Sequence, residues 1–86
     1  MTESASRRDA ALSPLDRLAP GESGVVARLD GPAPMARRLM ELGMVPGTTV
    51  TIVRRAPLGD PIELSVAGVH LSLRASDASL VHVTRP

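Results

Sequence analysis

The stretch at residues 37–50 constrains the fold more than any other part of the chain, because it predicts a helix end, a turn and a strand in a fixed order. Gly43 lies where a helix would reverse into the left-handed conformation, which glycine adopts at little cost. Pro46 and Gly47 favour a tight turn, since proline presets φ at the second turn position and glycine supplies a positive φ at the third. The β-branched run at residues 48–53 indicates that a strand follows directly.

A helix is predicted at residues 34–42, directly before this reversal. Pro34 suits the first helical turn, where its missing N–H is not needed. Met35, Leu39 and Leu42 recur at helical spacing, so they are predicted to share the face that packs on the core.

Alternation of apolar and polar residues predicts five short strands separated by tight turns. In the first of them, Val25, Ala27 and Leu29 share one face. A single helical turn is predicted at residues 13–18 and a short polar turn at residues 75–79. The predicted strands are residues 23–29, 48–56, 62–66, 69–74 and 80–84.

Five strands and one helix predict a mainly β domain, a small SH3-like antiparallel barrel with one short capping helix. Closing the sheet would protect its edges, and we expect a partly open barrel, with an OB-fold as the second possibility. The domain is predicted to span residues 13–86. The polar residues 1–12 have no hydrophobic period and are predicted to form a flexible tail.

The composition excludes several kinds of site. The chain of 86 residues has no Cys, so disulfides and thiolate metal sites are excluded. It also has no Phe, Tyr or Trp, which argues against aromatic grooves for proline motifs and against stacking of single-stranded nucleic acid. The formal net charge of +1 is small for a protein that neutralises many phosphates, so no nucleic-acid partner is expected.

The sequence also bears on the location of the protein. No apolar run approaches the roughly 20 residues that span a bilayer, and the N-terminal residues lack the apolar region of a secretory signal. We therefore expect a cytoplasmic protein without direct membrane insertion.

The candidates for catalysis or metal binding are few. His70 and His82 could pair across the last two predicted strands, with Asp77 as a third ligand, and such a set would suit Fe(II) or zinc. Both histidines alternate with apolar residues, however, and are therefore predicted to face water. No nucleophile motif or nucleotide loop is present. The sequence therefore predicts no enzymatic activity and no tightly bound cofactor.

Five arginines could converge on one face of the barrel and contact an acidic partner, or they could form an ordinary solvated surface. These arginines are Arg37, Arg38, Arg54, Arg55 and Arg74.

Several motifs together resemble the FeoA family of small bacterial proteins linked to ferrous-iron uptake. The centre of the resemblance is Arg38-Leu39, the segment 41–44 and the segment 46–48. Its most specific part is APLGDPI at residues 56–62, and it continues through residues 71–74. The resemblance covers most of the chain after residue 11.

The resemblance implies an SH3-like barrel in the cytosol, without enzymatic activity of its own. It implies an accessory or regulatory role beside FeoB, a membrane ferrous-iron transporter with a cytosolic GTP-binding domain. The alternative is a direct Fe(II)-binding chaperone that uses His70 and His82. The oligomeric state and the sign of any regulation are left open.

The predicted docking surface combines the capping helix with the loop at residues 56–61. The two prolines of this loop are expected to preorganise it, which lowers the ordering cost of binding. The residues predicted to contact the partner are Arg37, Arg38, Met40, Glu41, Leu58 and Asp60. Five residues are instead predicted to shape the backbone: Gly43, Pro46, Gly47, Gly59 and Pro61.

Overall fold

A computed structural model of the protein describes residues 12–85 and shows a mainly β architecture. Two α-helices accompany the strands, α1 at Ala33–Glu41 and α2 at Ala75–Ala78. Two 3-10 turns lie at Leu15–Arg17 and Pro57–Gly59. The six strands are β1 (Leu12–Pro14), β2 (Ser23–Leu29), β3 (Thr49–Arg55), β4 (Ile62–Val66), β5 (Val69–Leu73) and β6 (Val81–Thr84).

All six strands form one antiparallel sheet in the order β1-β6-β2-β3-β4-β5. Within residues 12–85, β5 pairs only with β4 and β1 pairs only with β6, so the sheet is not closed. The fold has one strand more than predicted, because the short β1 forms where the sequence indicated only a tail and a helical turn. The predicted tail lies, apart from Leu12, outside the described residues.

Two local differences from the sequence prediction have simple causes. The polar turn predicted at residues 75–79 is the one-turn helix α2. In β2 the register against β6 shifts between Val26 and Arg28, which leaves Ala27 as an extra residue in a β-bulge. Before the bulge the buried residues are Gly24 and Val26, so the predicted face with Val25 and Ala27 is the wrong one, and Ala27 is exposed. The extra residue then returns Leu29 to the core side, where it packs against the buried cluster.

The core is entirely aliphatic and contains no buried charged residue within the described part of the chain. Strand β4 shows a clean alternation, with Ile62, Leu64 and Val66 buried and the residues between them half-buried. The core is completed by Leu15, Leu18, Val26, Leu39, Met44, Val50, Ile52, Leu73, Ala78, Val81 and Val83. None of the helices in residues 12–85 is long and apolar enough to cross a membrane.

Helix α1 ends in a Schellman motif. The Met44 N–H donates to the Leu39 carbonyl at 3.1 Å, and the Gly43 N–H donates to the Met40 carbonyl at 3.0 Å. Gly43 has φ +106°, as this reversal requires. The next turn is closed by the Thr48 N–H, which donates to the Val45 carbonyl at 3.0 Å, with Gly47 at φ +95°.

We predict that Gly43→Ala destabilises the protein more than Gly47→Ala. Both positions have positive φ, which costs a residue with a Cβ roughly 1–2 kcal/mol. At Gly47 an added Cβ would meet nothing within 4 Å, whereas at Gly43 it would approach Val66 Cγ1 to 3.1 Å. Urea unfolding should therefore show a loss about 1 kcal/mol larger for Gly43→Ala. Equal losses would contradict the close packing of Gly43 on β4.

Candidate functional site: a groove beside the first helix

A groove of about 650 Å³ lies between helix α1, the end of β5 and helix α2. The two sides come from segments far apart in sequence, and they meet because Leu39 of α1 and Leu73 of β5 belong to the same buried core cluster. The groove is lined by Met35, Arg38, Leu39, Leu42, Ser72, Leu73, Arg74, Ser76 and Asp77.

The groove has an apolar floor and a basic rim. Leu39 and Leu73 are buried and fix the floor, while Leu42 remains 43% exposed and is available for contact. Arg38 and Arg74 are both exposed, and neither forms an ion pair with another residue of the described chain. Such a groove suits an apolar side chain with a neighbouring carboxylate, because a guanidinium forms strong hydrogen bonds with carboxylates.

A second hollow of about 340 Å³ adjoins this groove and is lined by Asp60, Pro61 and Arg74. Arg74 lines both hollows, so the loop at residues 56–61 borders the groove through this arginine. Asp60 also holds the loop against α2, because its Oδ1 accepts a hydrogen bond from the Ala75 N–H at 3.0 Å. Asp60 therefore has a structural role in addition to the predicted role in binding.

The loop presents an apolar side chain to solvent. Leu58 is fully exposed, with a relative accessibility of 104%, and its φ of +71° lies in the left-handed region. A leucine in this region pays a backbone cost of roughly 1–2 kcal/mol and gains no burial in return. Strained and exposed residues of this kind are typical of binding loops.

We predict that Leu58→Asn raises the stability of the isolated protein by about 0.5–1 kcal/mol. Asparagine tolerates the left-handed conformation better than leucine, and no buried contact is lost because Leu58 is fully exposed. Differential scanning calorimetry should show a higher Tm for the variant. A lower Tm would mean that Leu58 contributes packing that the structure does not show.

The structure distributes the predicted docking residues over two surfaces. Arg38 lines the main groove and Asp60 the adjoining hollow, whereas Arg37, Met40 and Glu41 are exposed on α1 outside the groove. Sequence reasoning did not select the groove residues Ser72 and Ser76 or assign Asp77 to a docking surface. No local signal marks them, because the groove forms only when α1 packs near β5.

Not all five arginines converge. Arg38 and Arg74 share the groove, but the Arg54 Nε forms an ion pair with Glu63 Oε2 at 2.8 Å. The Arg55 guanidinium instead serves the fold, because its Nη2 donates to the Asp16 carbonyl and, at 2.8 Å, to the Leu18 carbonyl.

The strand order does not support the candidate pairing of His70 and His82 across neighbouring strands. His70 lies on β5 and His82 on β6, and three strands separate them in the sheet. His82 is also not water-facing: its side chain is 17% exposed and its Nε2 lies 2.7 Å from Asp30 Oδ2. Within residues 12–85, no group of three or more His, Asp or Glu side chains is placed to hold a metal ion.

Comparison with known proteins gives consistent matches. A family model described as the FeoA domain matches residues 13–85. A fusion protein of Fe(2+) transport protein A and the Fe(2+) transporter FeoB from Porphyromonas gingivalis is 36% identical over 69 residues. Those residues are 80% of this chain and only 8% of the fusion protein, so the chain spans a small part of that relative.

Solved structures of similar proteins have the same fold. An FeoA-like protein from Clostridium acetobutylicum is 32% identical with a TM-score of 0.81, over 87% of each chain. FeoA from Stenotrophomonas maltophilia in complex with zinc is 38% identical with a TM-score of 0.71, over 80% of this chain and 86% of that one. The latter is described as an SH3 domain protein and suggested to act as a ferrous iron transport activating factor. These matches confirm the predicted SH3-like fold class.

Proposed function

The chain belongs to the FeoA family, which is associated with ferrous iron transport, and from this we propose that it is a non-enzymatic accessory protein that docks on the cytosolic GTP-binding part of a FeoB-type transporter. It would act in the cytoplasm, reaching the inner membrane only through its partner. Fe(II) would be the cargo of the transporter, and the chain itself would hold no tightly bound metal.

One observation supports the partner more than any other: a relative of this chain is fused to FeoB in a single polypeptide. Fusion holds two modules at a high effective concentration, which favours even a weak contact between them. Two separate chains need a surface that supplies this contact without the covalent link. The exposed groove, the fully exposed Leu58 and the unpaired arginines of the described chain fit such a surface.

We assign the contact to α1 and the loop at residues 56–61. Burying Leu58 on a partner would remove a complete leucine side chain from water, which is worth about 1.5–3 kcal/mol. Arg38 and Arg74, which both line the groove, would pair with acidic groups of the partner. The other contacts would come from the exposed residues Arg37, Met40 and Glu41 on α1. Asp60 in the loop at residues 56–61 would add a further contact beside Arg74.

The direct metal-binding alternative has less support. The zinc complex of the Stenotrophomonas maltophilia protein shows that a relative can bind a metal ion. In this chain, however, the two histidines lie on separated strands and His82 is already paired with Asp30. A site built from His70 and His82 together does not fit this fold.

The proposal is tested by capturing partners from solubilised membranes with the purified chain as bait, in the presence of GDP or a non-hydrolysable GTP analogue. We expect recovery of a FeoB-type transporter by the wild type, and a clear loss with the variant Arg38→Glu/Leu58→Ala. The matched control is Arg17→Glu, an exposed arginine outside the groove.

Recovery by the wild type and by Arg17→Glu, but not by the groove variant, would support both the partner and the surface. Equal recovery by all three folded baits would leave the partner in place and overturn the assigned surface. If the folded wild type recovered no transporter with either nucleotide, the docking proposal would be wrong.

A further inference from the structure

The two edges of the sheet differ in how well they are protected. The β1 edge has only three residues and ends in Pro14, both of which discourage pairing with another strand. The β5 edge has five residues, Val69–Leu73, with no proline, no bulge and His70 as its one ionisable residue. No strand of the described chain covers this edge. Strand β5 is therefore the edge that can accept an additional strand.

The hairpin register shows which backbone groups are free on this edge. Strands β4 and β5 are joined by the two-residue turn Ala67–Gly68, and Val66 pairs with Val69 directly beside it. Residues that flank such a turn form a hydrogen-bonded pair, and this pattern alternates along an antiparallel ladder. The N–H and C=O groups of His70 and Ser72 therefore point away from β4, toward the open edge.

The C-terminal end of this free edge borders the groove. Ser72, Leu73 and Arg74 form its strand side, and Arg38 and Leu42 belong to its helix side. A segment lying along β5 would thus find open main-chain partners on one side and the apolar floor beneath it. It would also meet two arginines at the same end of the strand.

Resting on the proposed function, we propose that an extended, acidic segment of the transporter's cytosolic part adds to the sheet along β5. Its main chain pairs with His70 and Ser72, an apolar side chain fills the space between Leu42 and Leu73, and a carboxylate lies between Arg38 and Arg74. Main-chain pairing supplies affinity in this mode, and the pockets for side chains supply specificity.

The charge of the groove favours an acidic segment of the transporter over a second copy of the chain. The groove carries two arginines against the single carboxylate of Asp77, so it is complementary to an acidic ligand. Pairing of β5 with its own copy would offer the sequence VHLSL, which contains no carboxylate for these arginines.

A matched pair of substitutions at Ser72 tests the strand pairing. Ser72→Pro removes the outward N–H without removing a bond to β4, whereas Ser72→Ala keeps the N–H and removes only the hydroxyl. With the cytosolic GTP-binding part of the cognate FeoB as probe, we expect Ser72→Pro to weaken binding at least about tenfold more than Ser72→Ala does. Far-UV circular dichroism and thermal melting check that both variants fold.

Amide hydrogen exchange of the wild-type chain gives a second readout that does not depend on the folding of a variant. We expect the amides of His70 and Ser72 to exchange at least about tenfold more slowly in the complex than in the free chain. Overlapping peptides from the cytosolic segments of the transporter then identify the acidic segment that reproduces this protection.

The outcomes separate this inference from the proposed function. If the wild type binds the probe but neither Ser72→Pro nor exchange at His70 and Ser72 shows an effect, the strand pairing is wrong and the docking proposal stands. The inference is also overturned if the two amides are protected only in a self-associated form of the chain, detected by sedimentation velocity. If the folded wild type does not bind the probe, the proposed function fails and the inference with it.

Discussion

Replacing Leu39 by alanine is expected to lower the free energy of unfolding by about 2–5 kcal/mol, the usual cost of emptying a buried leucine position. Leu39 is 1% exposed and packs in the core from the last turn of α1. Its carbonyl also accepts the Met44 N–H that closes the helix. For a domain of this size such a loss corresponds to a fall in Tm of roughly 10–30 °C.

The matched control is Leu42→Ala, the same substitution three residues further along. Leu42 is 43% exposed, so its truncation should cost less than about 1 kcal/mol. Urea unfolding of both variants, followed by circular dichroism, measures the difference. Similar losses at the two positions would mean that α1 does not pack as the structure shows.

Only part of this packing could be predicted from the sequence. Helical periodicity assigned Leu39 and Leu42 to one face, but only Leu39 is buried. The helix ends at Glu41, and the reversal at Gly43 brings Met44 into the core. The helix end at Gly43 and the turn at Gly47 could be predicted, because few residues other than glycine tolerate the positive φ at these positions. Met44 is buried because of tertiary packing, which helical periodicity in the sequence does not predict.

The sheet gives a similar result. Strand β4 was predicted with its exact bounds, because its alternation is regular and a two-residue turn follows it. The bulge at Ala27 and the short strand β1 could not be predicted, since each exists only through its pairing with β6. The same limit applies to the histidines, whose separation depends on the order of strands in the sheet.

Only some residues of the candidate site could be predicted from the sequence. Sequence reasoning selected Arg38 and the loop with Leu58, because an exposed helix face and a proline-stiffened loop are local features. It did not select Ser72 or Ser76, which acquire a role only when β5 and α1 form opposite sides of one groove. A groove between distant segments is a property of the fold, and no spacing within either segment encodes it.

The variant Arg38→Glu/Arg74→Glu is expected to weaken binding to the cytosolic part of the transporter by more than about 30-fold, which corresponds to roughly 2 kcal/mol. Both arginines line the groove, and neither is paired within the described chain, so both are available to a partner. Reversal replaces two attractions with two repulsions toward an acidic segment. The stability of the isolated chain should change little, because both side chains are exposed.

The control must carry the same change in net charge. Arg17→Glu/Arg85→Glu lowers the formal net charge by the same amount, since each exchange removes one positive charge and adds one negative charge. Both residues are exposed and neither lines the groove. This control should bind within about threefold of the wild type at physiological ionic strength, where exposed charges more than about 8 Å apart are largely screened. An equal loss in both variants would show that net charge, not the groove, governs the interaction.

The most direct test of the docking claim is isothermal titration calorimetry of the full wild-type chain against the cytosolic GTP-binding part of its cognate FeoB. The measurement is made once with GDP and once with a non-hydrolysable GTP analogue. We predict saturable binding with at least one nucleotide, with a Kd that Arg38→Glu/Arg74→Glu raises by more than about 30-fold. The absence of saturable binding by the folded chain with either nucleotide would contradict this prediction.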